Sequence, residues 1–211
     1  MRRKDQSDRR EQLARAARRV LLERGAVGVR VKDIADAAGL SPSSVLYYYP
    51  RIDDLLLEVS RKAIERYAES RAGAVAAVEG EVRRLRLAIH LGVPDGPDDE
   101  ESRILYELDA LTGSSPAFAV LTTSFYDRQV ALYERVLAAG AREGTFELEA
   151  PPERIARGMI ALEDGLGLQV VIGHPSLDSS AAERVLLEFA TAMTGADLAA
   201  VPLLEERPLP A

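Results

Sequence analysis

Residues 31–49 read VKDIADAAGLSPSSVLYYY, two short helical patterns meeting at a corner. In the first, Val31, Ile34, Ala35 and Ala38 recur at helical spacing, which buries one face and leaves Lys32, Asp33, Asp36 and Ala37 outside. Gly39 suits a left-handed helix stop, and Ser41 followed by Pro42 reads as the next helix start. In the second pattern Val45, Leu46 and Tyr49 form the expected inward stripe. Ser44, Tyr47 and Tyr48 point away, with Ser43 one turn before Tyr47. A tight corner whose second helix exposes hydroxyls and tyrosines has the geometry of a helix-turn-helix reading the DNA major groove. Two surface helices of an ordinary bundle would give the same pattern, so the flanking sequence has to decide.

Upstream, DRREQLARAARRVLLERG (8–25) places Leu13, Ala16, Ala17, Val20 and Leu21 on one helical face, with Gly25 as its stop. Downstream, Asp53 and Asp54 open a helix with Leu55, Leu56, Val59, Ala63, Ile64 and Tyr67 inward. Charge is divided unevenly. Residues 1–50 hold 11 Lys and Arg against 6 Asp and Glu, a net +5. The remaining 161 residues hold 16 against 28, a net −12. A basic arm over residues 1–7 (Arg2, Arg3, Lys4), continued by Arg9 and Arg10, supplies what phosphate contacts require. The acidic remainder would repel DNA, which confines the expected binding face to the first quarter of the chain.

With these flanks, residues 8–60 resemble the tetracycline-repressor (TetR) family of bacterial regulators, whose signature runs "IA..aGvs.gtlY.yF..K..Ll". The matching residues are Ile34-Ala35, Ala38-Gly39-Leu40-Ser41, Ser43-Ser44-Val45, Tyr48-Tyr49 and Leu55-Leu56. Leu46 stands where the family has a tyrosine and Ile52 where it has a lysine, both commonly phosphate contacts; Tyr47, Tyr48 and Arg51 lie close enough to substitute. The expected DNA-binding set is Arg30, Lys32, Ser41, Ser43, Ser44, Tyr47, Tyr48 and Arg51. Serine hydroxyls can serve either base type, tyrosines add phosphate hydrogen bonds or thymine-methyl contact, and Arg30 and Arg51 are phosphate candidates. The position of Lys32 is one that reaches DNA in the family.

The 211 residues, 47% hydrophobic with few aromatics, suit helices throughout. No stretch approaches the roughly 20 apolar residues of a membrane span. The charged N-terminus lacks the apolar segment of a secretory signal. There are no cysteines, which excludes disulfides and thiolate metal sites. The expectation is a soluble cytoplasmic protein without cofactor or metal. Enzyme chemistry finds little footing: there is no phosphate loop, HExxH or Gly-x-Ser-x-Gly motif. The two histidines, His90 and His174, sit at predicted helix ends, where a cap is the simpler role.

Beyond residue 60 the pattern continues helical. Helices are expected from Asp54 to about Ser70, from Ala74 to about His90, over 102–111, from Pro116 to about Arg142, over 152–172 and from 179 or 180 to 194. VPDGPDDE (93–100) and EGTFELEAPP (143–152) link them, and 196–211 reads as a flexible tail. The fold class is therefore all-α: a three-helix DNA-binding domain over 1–51 and a larger helical ligand-binding and dimerisation domain over 52–195.

The segment 152–172 is apolar nearly all round and carries Gly158, Gly165 and Gly167, each costing about 1 kcal/mol against alanine in a helix interior. Close packing against a second copy would offset this, as would packing within the subunit. In the resembled family the last two long helices form a dimer, and Glu163-Asp164-Gly165-Leu166 resembles its "dGL" segment. The expected interface residues are Gly158, Leu162, Gly165, Leu166, Leu186 and Phe189, and a two-fold dimer implies a palindromic operator. The resemblance also implies a small-molecule effector, with His90, Tyr106, Phe118, Phe125, Tyr126, Tyr133 and Met159 as candidate lining, each equally a core candidate. Residues 103–173 look similar to the C-terminal part of the BetI-type branch. The functional expectation is a homodimeric repressor released from its operator by a ligand. The alternatives are a ligand-independent regulator and a helical protein-interaction module.

Overall fold

The computed structural model describes residues 2–202, with side chains from Gln6 onward. The expected arm residues Arg2, Arg3 and Lys4 have side chains outside the described set, as does the tail over 203–211. Among the described residues the order is α1 (Arg2–Arg24), a 3₁₀ turn (Ala26–Gly28), α2 (Val31–Ala38), α3 (Pro42–Tyr48), α4 (Ile52–Ala76), α5 (Glu81–Gly92), α6 (Glu100–Asp109), α7 (Pro116–Arg142), α8 (Pro152–Val171) and α9 (Ser179–Thr194). No strand occurs among them.

Contacts divide the chain into two compact units, Met1–Tyr67 with Glu100–Ser124, and Ala68–Asp99 with Phe125–Ala211. The boundary expected at 51/52 falls in the turn before α4. The structure divides elsewhere because α4 passes unbroken through residue 67, and because α6 and the start of α7 return to the first unit.

The first unit is built on a core of Leu13, Ala17 and Leu21 from α1, Ile34 and Ala35 from α2, Val45 and Tyr49 around α3, and Leu55, Leu56 and Val59 from α4. Ile104 and Leu108 of α6 and Phe118 of α7 complete it. The inward faces expected for α1, α2 and α4 are the faces found, since each apolar stripe has one way to leave water. Asp33 and Ala37 of α2, expected outside, are half-buried, Asp33 paired with Arg24 of α1 and Ala37 packed on the core. The second unit has its own core, with Leu85, Ile89, Tyr133, Leu137, Met159, Leu186 and Leu198 each fully buried.

Four expectations change. The basic arm is the first turns of α1, which is already helical at Arg2. The break expected near 70–74 lies later: nothing in 68–76 ends the helix, and the chain turns at Gly80 (φ +86°) before α5. The tail is anchored at its start, because Leu198 is fully buried in the second core. Leu46, expected inward, is 43% exposed. The reason is that the inward side of α3 is centred on Val45 and Tyr49, one turn apart and joined by the bond from Tyr49 N–H to Val45 O, which leaves Leu46 about 100° round the helix and outside.

Candidate nucleic-acid interface

The corner is held by local chemistry. Gly39 adopts the left-handed conformation (φ +66°, ψ +36°), which a Cβ would strain, and Leu40 N–H donates to Ala35 O at 2.9 Å to close α2. Ser41 caps α3: its Oγ accepts from Ser44 N–H at 3.2 Å, and Pro42 takes the first helical position. From α1, Gln12 Nε2 donates to Ala38 O and Arg19 donates to Ala37 O, each at 2.7 Å. These two bonds satisfy carbonyls that the end of α2 would otherwise leave without partners.

At the far end of α3, Arg10 gathers several groups. It lies 4.9 Å from the Tyr49 ring centroid, donates to Tyr48 O at 3.4 Å and faces Glu58 at 3.6 Å. Glu58 also accepts from Tyr49 Oη at 2.7 Å and from Lys62 at 2.8 Å. Burial, then the hydrogen bond to Glu58, pushes the Tyr49 hydroxyl well above its ordinary range. For Glu58 burial works against ionisation, yet the hydrogen bonds from Lys62 and Tyr49 win and hold its carboxyl below the usual range. Sequence reading missed Arg10, Gln12 and Arg19 as individual holders of the corner. Their targets lie 38, 26 and 18 residues away, with no spacing rule to connect them.

Of the eight expected DNA-binding residues, Arg30, Lys32, Ser41, Ser43, Tyr47 and Arg51 are exposed, Tyr47 by 73%. Ser44 and Tyr48 are half-buried, and Tyr48 packs on the core rather than standing clear of it. The three serines form one cluster, Ser41 Oγ lying 2.9 Å from Ser43 Oγ and 2.8 Å from Ser44 Oγ. The Tyr47 and Tyr48 rings meet edge-on at 5.1 Å. Arg51 is paired with Asp53 at 3.1 Å, both in reach of solvent. The outward stripe of α3 is therefore Ser43, Leu46 and Tyr47, at i, i+3 and i+4.

The effector candidates are divided between the two units. Tyr106 and Phe118 belong to the first unit, and Phe118 is part of its core. The other five belong to the second. There Tyr133 and Met159 are fully buried, Phe125 and Tyr126 form a tilted ring pair at 5.8 Å, and His90 Nδ1 sits 3.3 Å from Glu183. Two clefts of about 240 and 340 Å³ open on this unit, and none of the five lines either.

The second unit's polar centre is a group that sequence reading missed. Arg71 forms a two-pronged pair with Glu163, at 2.8 Å to Oε1 and 2.7 Å to Oε2. The same guanidinium donates to Gln129 Oε1, Ala88 O and Tyr133 Oη, while Tyr133 Oη donates to Glu163 Oε2 at 2.7 Å. Arg71 and Glu163 are 2% and 6% exposed. Gly92 is required beside them, because a Cβ there would overlap Glu163 Oε2 and the Arg71 guanidinium.

The expected dimer residues also separate. Leu186 is fully buried within the protomer and offers no surface, and Gly158 faces Phe189 of its own chain. Leu162 and Leu166 are half-buried against the second core. Gly165 is exposed with open space beside it, and the apolar surface of α8 and α9 continues through Leu168, Ile172 and Val185, exposed by 46%, 67% and 38%.

A short capped helix standing on a three-helix core, with cations on both flanks, defines a helix-turn-helix DNA reader. Comparison with known proteins agrees. Residues 13–59 match the N-terminal model of the bacterial regulatory proteins of the tetR family, and residues 81–195 match the BetI-type transcriptional repressor C-terminal model. The chain belongs to the tetR family, in its BetI-type branch, and is a DNA-binding transcriptional regulator. It is 25% identical over 185 residues to the HTH-type transcriptional regulator PksA of Bacillus subtilis, covering 87% of this chain and 89% of that one. Among solved structures it is similar to a transcriptional regulator from Saccharomonospora viridis in complex with choline (TM-score 0.82, 24% identity, 89% of this chain and 98% of that one). A TetR regulator from Haloarcula marismortui gives a TM-score of 0.78 at 26% identity, with 89% and 99% covered. Among the described residues no helix is long and apolar enough to cross a membrane.

Proposed function

We propose that this chain is a cytoplasmic homodimeric repressor that occupies a palindromic operator through α3 of each copy and releases it when a small molecule binds the second unit. The observation that carries the reading is the outward stripe of α3, Ser43, Leu46 and Tyr47, set among exposed Arg30, Lys32 and Arg51 in a region of net positive charge. Arg30, Lys32 and Arg51 take phosphate, while Ser43, Ser44, Tyr47 and Tyr48 meet base edges and backbone, with Ser41 fixing their helix. The dimer forms on the apolar surface around Gly165, Leu168, Ile172 and Val185, which is exposed among the described residues.

Binding to DNA upstream of the protein's own gene, at two salt concentrations, tests the reader. Affinity for a palindrome should fall steeply with salt, because each phosphate contact releases a counterion. Weak binding equal to that for random DNA would leave the protein-interaction reading. Sedimentation of the chain and of Gly165→Asp tests the dimer: the wild type should sediment as a dimer and the variant as a monomer. A metabolite panel read by thermal shift tests the effector, with choline as the first probe because a similar structure holds it. Release of operator by no compound that raises the melting temperature would favour ligand-independent regulation.

A further inference from the structure

The eight residues from Pro42 to Tyr49 contain no Arg, Lys, Asn, Gln, Asp or Glu. Those are the side chains that make the strongly discriminating hydrogen bonds to base edges: Arg or Lys to guanine, Asn or Gln to adenine, carboxylates to cytosine. The hydroxyls present discriminate weakly, since serine can donate to or accept from either base type. They are also already linked to one another, with Ser41 Oγ capping α3 while bridging Ser43 and Ser44.

The same helix carries an apolar edge that lies outside the first core among the described residues, Tyr47 touching only the edge of the Tyr48 ring in the contacts found. Leu46 is 43% exposed and Tyr47 73% exposed, and neither joins the core cluster that takes Val45, Tyr48 and Tyr49. A single exposed leucine is ordinary. Here the leucine adjoins a tyrosine on the outward stripe of the recognition helix, with exposed Lys32 earlier in the sequence and exposed Arg51, paired with Asp53, later in it. Residues 1–50 carry a net positive charge, which matches a polyanion, so the occupant of this edge is the DNA groove itself. The apolar feature that a major groove offers is the C5-methyl group of thymine.

We infer that the Leu46–Tyr47 edge of α3 packs on thymine methyl groups, so that operator sequence is recognised chiefly by apolar contact at A·T pairs rather than by hydrogen bonds to guanine. This rests on α3 being the recognition helix, as proposed above. It assigns to Leu46, which stands where the family has a phosphate-contacting tyrosine, a part in specificity in place of the backbone contact.

The test begins with selection of a tight site from random duplexes by the full-length chain. Each thymine of that site is then replaced in turn by deoxyuridine, which removes the methyl and keeps every hydrogen-bonding group. At one or more thymines in each half-site affinity should fall about fourfold, the value of one methyl-sized group moved out of water. In Leu46→Ala or Tyr47→Ala the thymine-to-uracil ratio at that position should collapse to one. Uracil duplexes that all bind like the parent would overturn the inference, as would a ratio that survives in both variants, or a site whose discrimination rests on G·C pairs alone. Failure to select any salt-sensitive site would instead remove the reading of α3 as a recognition helix. Because the uracil comparison uses the unaltered protein, it stands even if a variant folds poorly.

Discussion

The two compact units treat charge in opposite ways. In the first, Arg15–Glu11, Arg61–Glu65 and Arg51–Asp53 ride on the surface with both side chains more than a third exposed, and even the half-buried Glu58 and Asp33 pair with exposed arginines. In the second, Arg71 and Glu163 are sealed together with Tyr133 and Gln129. Exposed pairs are worth about 0–1 kcal/mol and can be exchanged freely, which leaves the reader's surface available for a polyanion. A buried pair adds little net stability against a hydrophobic isostere, yet removing one partner strands the other charge away from water. The first unit therefore has replaceable charges on a fixed frame, and the second has charges that are part of its frame.

Breaking that frame should give the largest effect. Arg71→Met is expected to cost about 3–5 kcal/mol and to lower the melting temperature by roughly 10 °C. The double variant Arg71→Met/Glu163→Leu should recover most of the loss, and calorimetry showing equal loss in both would break the comparison. Gly92→Ala comes next, at about 1–3 kcal/mol, because the added Cβ has to displace the buried pair. In the first unit Ser41→Ala should cost about 1 kcal/mol by uncapping α3, read by thermal unfolding.

The smallest effect belongs to Glu58, and its signature is pH. Its carboxyl is held below the ordinary range in the folded protein, so its stabilisation is complete above the unfolded carboxylate pKa. That contribution disappears as pH falls through the lowered folded value. The stability difference between wild type and Glu58→Gln should thus be full at neutral pH and vanish in acid. A difference that grows on acidification would show the sign to be wrong.

Much of the first unit could be read from sequence because its decisions are local. The left-handed Gly39, the Ser41 cap and the proline after it lie within four residues and act on one another directly. The inward stripes of α1 and α4 could be read for the same reason. Leu46 and Tyr48 differ from expectation because seven residues are too few for the pattern to fix the phase of a helix: the inward side is centred on Val45, with Tyr48 and Tyr49 one turn on, and Leu46 falls beyond its edge. Glu163 lies beside Asp164 in sequence, but its partners arrive from 92 and 30 residues away. No periodicity encodes such a meeting. Leu186 had the right character for an interface and the wrong phase, since its side of α9 fills the protomer's own core.

The route of α4 bears on anyone who would build with this protein. The reader's core draws Leu55, Leu56 and Val59 from α4, Ile104 and Leu108 from α6 and Phe118 from α7. A fragment ending at residue 51 would leave behind eight of the nineteen buried side chains of the core on which its recognition helix stands. The DNA-reading part is thus discontinuous in sequence, and a hybrid regulator with a borrowed sensor has to keep two separate stretches of this chain, not one.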